Sequence, residues 1–272
     1  EFGHIAARAG SEVCMIDRGE RPLKGFDADL VERLVARGEE VGVQLRRRTS
    51  LKSIKKDGTD FLVTVETGSE TKDLRADLVV QGAGRVAAID QLDLAAANVE
   101  AGDKGVAVNA YLQSTSNPKI YAAGDAADTQ GAPLTPVAVF EGKVAASNML
   151  KGNRTKPDYS GVPSAVFTVP ELTRVGMLEQ DAREAGHDIR VVENDTSDWY
   201  SNLRVGESCA ATKVIIDKDS DTILGAHLLG PEYGEIINFF GLAIRLGLTT
   251  SDLKKMVSVY PSVGSDLGSM LS

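Results

Sequence analysis

The stretch Thr115–Asp128, Thr-Ser-Asn-Pro-Lys-Ile-Tyr-Ala-Ala-Gly-Asp-Ala-Ala-Asp, constrains this chain more than any other. Lys119–Ala123 reads as a short buried strand that stops abruptly at Gly124 and Asp125. Open α/β sheets bind nucleotides in the crevice beyond the carboxyl ends of their strands, and this is such an end. Small residues at 122–124 let a ligand approach the backbone, and the Asp125 carboxylate can accept hydrogen bonds from a sugar hydroxyl. Beyond a short loop, Leu134-Thr135-Pro136-Val137-Ala138 opens a helix running to about Leu150, with Thr135 suited to the N-cap and Pro136 to the first turn. Such a helix presents free N–H groups and partial positive charge to whatever lies before it. Gly-Asp alone would imply no more than a strand, a loop and a capped helix. The eleven-residue context from Thr115 to Asp125 is what makes the stretch specific.

The chain opens inside a pattern. Glu1–Ala9 has helical character, no capping residue and an ordinary stop at Gly10, and Ser11–Ile16 then reads as a strand ending at Asp17. Helix, strand and acid in that order form the back half of a dinucleotide-binding unit, where the acid meets an adenosine ribose. Asp17 favours NADH, because a carboxylate accepts from a 2′-hydroxyl and repels a 2′-phosphate. Arg18, Arg21 and Lys24 follow closely; they either neutralise a phosphate, favouring NADPH, or form a solvated loop. An amphipathic helix is expected over Asp27–Val41, with Leu30, Val31, Leu34 and Val35 at helical spacing. Strands are expected at Val43–Thr49, Leu51–Lys56 and Phe61–Thr67, and a buried strand at Ala76–Gln81 leading into Gly82-Ala83-Gly84-Arg85.

The breaker-rich segment Lys151–Pro157 marks a domain boundary. Beyond it, a short helix over Glu179–Ala185 and strands at Ile189–Glu193, Cys209–Asp217 and Ile223–Leu229 suggest an α+β module. In Glu232–Leu246, apolar residues wrap more than one face, so this helix is expected to be buried on two sides, by its own sheet and by a partner subunit. His4, His187 and His227 have no second ligand at metal spacing, so no metal is expected.

Several of these segments resemble the pyridine nucleotide-disulfide oxidoreductases of class I, the glutathione reductase, dihydrolipoamide dehydrogenase and mercuric reductase flavoproteins. Thr115–Asp125 matches their second flavin-binding motif, Gly84-Arg85 a pair beside the pyridine nucleotide, and Pro163–Gly176 the start of their interface domain. The resemblance implies that Asp125 binds a ribityl hydroxyl of FAD, that the helix from Thr135 points at the flavin ring, and that the chain forms a homodimer through Gly161–Ser272. From Glu1 onward the chain also matches a Gly-x-Gly-x-x-x-x-Glu-Phe segment, which places Glu1 near the nicotinamide and leaves the phosphate-binding glycines outside these 272 residues. The expected architecture is α/β: an incomplete, truncated NAD(P)-binding Rossmann-like domain over 1–110, a flavin-contacting segment and linker over 111–157, and an α+β dimerisation domain over 158–272.

One part of the family pattern is replaced. Disulfide reductases of this kind carry His-Pro-Thr with a Glu five residues after the His, a pair that shuttles protons to a thiol. Here Tyr260 takes the His position and Ser265 the Glu position, with Asp266 next. An imidazole titrates near neutrality, whereas a phenol does so near pH ~10. Tyr260 either donates a hydrogen bond to a quinone-like acceptor or packs at the dimer seam.

The expectation is therefore the C-terminal portion of an FAD-dependent NAD(P)H oxidoreductase acting on a small-molecule electron acceptor other than a disulfide, and inactive as this chain alone. The alternative is a non-catalytic dimerisation and nucleotide-docking module. A net charge of −9 argues against nucleic acid, and no apolar run reaches the ~20 residues of a membrane span. Cys14 and Cys209 have no disulfide or metal spacing, which suits a reducing, cytoplasmic setting.

Overall fold

A computed structural model describes residues 1–272, which divide into two compact units: Glu1–Val79 with Ser160–Ser272, and Val80–Tyr159. The first unit starts with α1 (Phe2–Arg8), β1 (Val13–Ile16), α2 (Ala28–Glu40) and β2 (Val43–Arg46). β1 and β2 pair in parallel, from Val13 opposite Val43 to Ile16 opposite Arg46, with α2 as the crossover a parallel pair requires. Asp27 caps α2, its carboxylate accepting from the N–H groups of Asp29 and Leu30 at 3.1 and 3.2 Å. Leu30, Val31 and Leu34 are buried, as their spacing requires. β3 (Thr49–Asp57), β4 (Asp60–Thr67) and β5 (Glu70–Ala76) make an antiparallel meander. β5 is charged and mostly exposed, so no apolar alternation announces it in the sequence.

The buried strand expected at Ala76–Gln81 does not form. Ala76 closes β5, residues 77–89 are irregular, and Leu78 and Val80 are 75% and 62% exposed. In a doubly wound sheet, ordered 3-2-1-4, such a strand pairs with the strand on the far side of β1. These 272 residues place no strand on that edge of β1, so the run has nothing to receive its backbone hydrogen bonds.

The second unit holds the short strands β6 (Ala101–Gly102), β7 (Gly105–Ala107) and β8 (Ala127–Asp128), followed by α3 (Thr135–Lys151). Lys119–Ala123 is not the regular buried strand expected. A turn at Asn117–Lys119 folds it back on 112–114, where Ser114 N–H donates to Ile120 O at 2.9 Å and Ala122 N–H to Leu112 O at 3.0 Å. Its hydrogen bonds are spent locally, and only Tyr121 makes a bridge, to Gln113. Late in α3, buried Asn148 uses its whole amide. It donates to Tyr111 O and Thr155 O and accepts from the N–H groups of Arg154 and Thr155.

The first unit resumes with β9 (Ser164–Val166), β10 (Glu171–Gly176), α4 (Glu179–Glu184), β11 (Ile189–Asp195), α5 (Tyr200–Leu203), β12 (Ala211–Asp217), β13 (Ile223–Gly230), α6 (Tyr233–Leu246) and α7 (Thr250–Leu253). The five strands form one antiparallel sheet in the order β11-β12-β13-β10-β9. One face, with Val175, Val214, Ala226 and Leu228, packs under Tyr233, Ile237 and Phe240 of α6. On the other face, Leu172, Ala211 and Leu229 pack against Leu30, Val31 and Leu34 of α2. One helix thus serves both the parallel pair and the large sheet, which is why residues so far apart in sequence form one unit.

Beside that contact runs a row of polar residues across four strands: Arg174, His227, Lys213 and Glu193, each directly opposite the next. Buried Lys213 Nζ reaches Asp27 at 3.1 Å, Asp29 at 2.5 Å and Glu193 at 3.2 Å, so its charge is met by the first turn of α2 and by β11. On α6, the outer apolar side, Phe239, Leu242 and Leu246, is exposed in the single chain. No helix is long and apolar enough to cross a membrane.

Candidate cofactor site

Gly124 and Asp125 form a single turn in the second unit, set against the start of α3. Gly124 has φ +63°, and a Cβ there would lie 2.8 Å from the Ala138 Cβ, so both backbone conformation and close approach require glycine. Its N–H points inward and donates to Glu141 Oε2 at 2.6 Å. Glu141 is 0% exposed and also accepts from the Thr129 hydroxyl at 2.8 Å and the Tyr159 hydroxyl at 2.7 Å. Burial and the bond to Glu141 push the Tyr159 phenol up to about 12. Asp125 faces outward, and Arg85 Nη2 lies 3.5 Å from its carboxylate. Gly84, with φ +102°, has nothing within 4 Å of where a Cβ would stand, leaving the backbone before Arg85 open. The structure therefore brings Gly84, Arg85, Gly124 and Asp125 into one neighbourhood with the α3 N-terminus.

Thr135 is not the cap. Leu134, in an extended conformation, takes that position, Thr135 begins the helix, and Pro136 fits the first turn, where no N–H is missed. No side chain caps α3, so its first N–H groups are open. Thr135 and Pro136 are exposed, Val137 is buried and Ala138 lies under Gly124. An outward carboxylate, small residues along the backbone and an uncapped helix start fit the sugar and ring side of a flavin dinucleotide. Sequence reasoning missed Glu141. Its one signal is an acid set in the otherwise apolar first turns of α3, Val137–Phe140.

In the first unit, Asp17 ends β1 and its carboxylate accepts from the Gly19 N–H at 2.5 Å, shaping the loop that follows. Arg18 is exposed. Among the other nearby cations, Arg21 donates to Phe26 O at 3.1 Å, Arg47 is bidentate on Glu32, and Arg48 pairs with Glu20, whereas the Lys24 side chain lies beside Gly19, in the same turn as the Asp17 carboxylate. Glu1 is engaged too, accepting from the Phe167 N–H at 2.8 Å.

Tyr260 is 79% exposed, and its hydroxyl makes no hydrogen bond within the chain. Ser265 donates to Ser262 O at 2.5 Å, and Asp266 accepts from the Ser201 hydroxyl. Neither is turned toward Tyr260, so the three do not assemble into a proton-shuttling pair. The histidines are each held: His4 by Val169 O at 3.3 Å, His187 by Asp217 at 3.0 Å, and His227 by Met177 O at 3.0 Å.

Residues 1–142 match the profile of the pyridine nucleotide-disulphide oxidoreductases, and residues 162–270 match the dimerisation domain of that family. An uncharacterised 19.7 kDa protein of a mercuric resistance operon in Staphylococcus aureus is 51% identical over 180 residues, covering 66% of this chain and 100% of that protein. A mercuric reductase of Bacillus cereus is 31% identical over 268 residues, 98% of this chain and 42% of the reductase. Among solved structures, a Cu(II) complex of the HOCl-induced flavoprotein disulfide reductase RclA from Escherichia coli superposes with a TM-score of 0.89 at 26% identity. That match covers 99% of this chain and 60% of the other. The chain thus spans under half the length of the mercuric reductase it matches.

Proposed function

The chain belongs to the pyridine nucleotide-disulphide oxidoreductase family, whose members are FAD-dependent and use NAD(P)H, and from that premise we propose that it supplies the C-terminal portion of an NAD(P)H oxidoreductase acting on a small-molecule acceptor. On this reading residues 1–110 serve the pyridine nucleotide, 111–157 the flavin, and 158–272 a homodimer. When bound, FAD supplies the ability to take up an electron pair from NAD(P)H and release it to an acceptor. The chain's own part is to bind and orient. Asp125 accepts from the flavin's sugar-like chain, the start of α3 at Thr135–Ala138 faces the ring with its partial positive charge, and Gly84-Arg85 lies beside the nicotinamide side. The observation that carries this reading is the outward Asp125 carboxylate on a glycine turn held against an uncapped helix.

For the pyridine nucleotide we propose NADH. Asp17 supports this, as does the engagement of Arg21, Arg47 and Arg48 with other partners, which leaves Arg18 and Lys24 as the cations near the acid. For the acceptor we propose a small molecule other than a disulfide. Thiol chemistry needs a base matched to the working pH, worth roughly a hundred- to ten-thousand-fold in rate. Tyr260 is an exposed phenol with neither Ser265 nor Asp266 directed at it. It is suited to donate a hydrogen bond to an acceptor carbonyl, as a quinone would offer.

The test is turnover by the protein carrying this chain, with NADH or NADPH against glutathione disulfide, lipoamide and a quinone. Quinone turnover that falls in Tyr260→Phe supports the reading; strong disulfide turnover dependent on Tyr260 overturns it. A second reading, a non-catalytic dimerisation and nucleotide-docking module, is favoured by the 51%-identical relative, whose whole length falls within this chain. Absence of turnover with every acceptor, alongside a stable dimer, would select it.

A further inference from the structure

Glu141 differs from the other buried acids of this chain. Asp27 is paired with Lys213 and Glu207 with Arg37, whereas Glu141, fully buried, is held by neutral donors alone. Those donors come from three places: the Gly124 N–H in the Gly-Asp turn, the Thr129 hydroxyl in the loop that leads to α3, and the Tyr159 hydroxyl beyond the end of α3. The Thr129 hydroxyl in turn accepts from the Gly131 N–H at 3.1 Å. At Gly131 a Cβ would stand 2.6 Å from Glu141 Oε1, so the loop closes directly over the carboxylate.

The arrangement ties together two features that a ligand would meet separately. One oxygen, Oε2, takes the Gly124 N–H and turns it inward, which sends the next side chain, Asp125, outward. The other, Oε1, takes Thr129 and Tyr159 and so fixes the loop between the turn and the first residues of α3. We propose that Glu141 is the positioning residue of the flavin site, setting the Asp125 turn and the open N-terminus of α3 at a fixed spacing through one buried carboxylate. This rests on the reading that Asp125 meets the flavin chain. Glu141 itself touches no ligand; it acts through Gly124 and Thr129. A reacting group misplaced by about 1 Å can lose on the order of a hundredfold in rate, and a binding turn is subject to the same geometric demand.

The test compares Glu141→Ala, Glu141→Gln and Asp125→Ala in the protein carrying this chain, with FAD as the probe. Three quantities are read: FAD affinity, hydrogen exchange at the Gly124 amide, and titration of the Tyr159 phenol by carbon-13 NMR, assigned with Tyr159→Phe. Glu141→Ala should weaken FAD at least ~10-fold and speed Gly124 exchange by a similar factor, because that N–H loses its acceptor. Glu141→Gln keeps an acceptor for Gly124, so FAD affinity should return to within about threefold of the parent. In both variants Tyr159 should titrate lower. Asp125→Ala should weaken FAD while leaving Gly124 exchange and Tyr159 untouched. Parental FAD affinity in Glu141→Ala, with Asp125→Ala impaired, overturns the positioning role. If Glu141→Ala does not fold, a tenfold FAD loss in Glu141→Gln with Gly124 still protected overturns it as well. Unchanged affinity in Asp125→Ala instead overturns the flavin reading, and the amide and phenol then judge the part played by Glu141.

Discussion

The Arg85 guanidinium lies 3.5 Å from the Asp125 carboxylate, so the residue expected beside the pyridine nucleotide and the residue expected on the flavin share one ion pair. Both side chains are open to solvent, where such a pair contributes at most ~1 kcal/mol. Arg85→Ala should therefore leave urea unfolding within roughly 0.5 kcal/mol of the parent and leave FAD affinity undiminished, since Asp125 keeps its carboxylate. Asp125→Ala should lose FAD affinity. Equal loss in both variants would show that Arg85 itself grips the flavin.

The outer side of α6 gives a prediction about assembly. Leu242 is 52% exposed in the single chain, with Phe239 and Leu246 exposed on the same side of the helix. An apolar surface of this kind marks an interface. Leu242→Glu buries a charge there, and sedimentation should shift from dimer to monomer at micromolar concentration while the monomer stays folded. A parent already monomeric at that concentration would refute it.

Burial pushes His227 down to about 4, with Arg174 and Lys213 on its two flanking strands opposing a third positive charge and Asp27 partly offsetting them. An unfolded histidine titrates near ~6.5. Between those values the unfolded chain binds a proton that the folded chain refuses. Stability should therefore fall as pH drops from about 6.5 toward 4, by on the order of 2–3 kcal/mol, and this contribution is constant below, where both states are protonated. Urea unfolding across that range should show the slope, and His227→Gln should flatten it.

Lys213 is the cation on which Asp27, Asp29 and Glu193 converge. Lys213→Met leaves the buried Asp27 carboxylate without a counter-charge and should cost roughly 3 kcal/mol, measured by urea unfolding. Asp29 and Glu193 can turn to water, so Asp29→Asn should cost well under half as much.

Much of this was legible in the sequence, because local chemistry decides it. Asp27 and the spacing of Leu30, Val31 and Leu34 announce α2, and the same holds for the hairpin across 218–222 and for α6. Failures came where a partner decides. Leu78 and Val80 have a strand's composition but no neighbouring strand, and Lys119–Ala123 folds onto its own turn. At the site, Gly124 and Asp125 share one turn ahead of α3, and Leu134 rather than Thr135 takes the cap. Glu141 could not be read, since an acid on a helix is ordinarily solvated and only the folded turn shows what surrounds it.

The shared helix α2 has a consequence during synthesis. The ion pair from Asp29 to Lys213 spans 184 residues, and Leu30, Val31 and Leu34 await Leu172 of β10, then Ala211 of β12 and Leu229 of β13. At ~5–20 residues per second, that interval lasts roughly ten to forty seconds on the ribosome. Throughout it the inner face of α2 lacks most of its sheet, with only Leu23 and Phe26 beside it at first, and the nascent chain is a natural client for a chaperone until β12 and β13 appear.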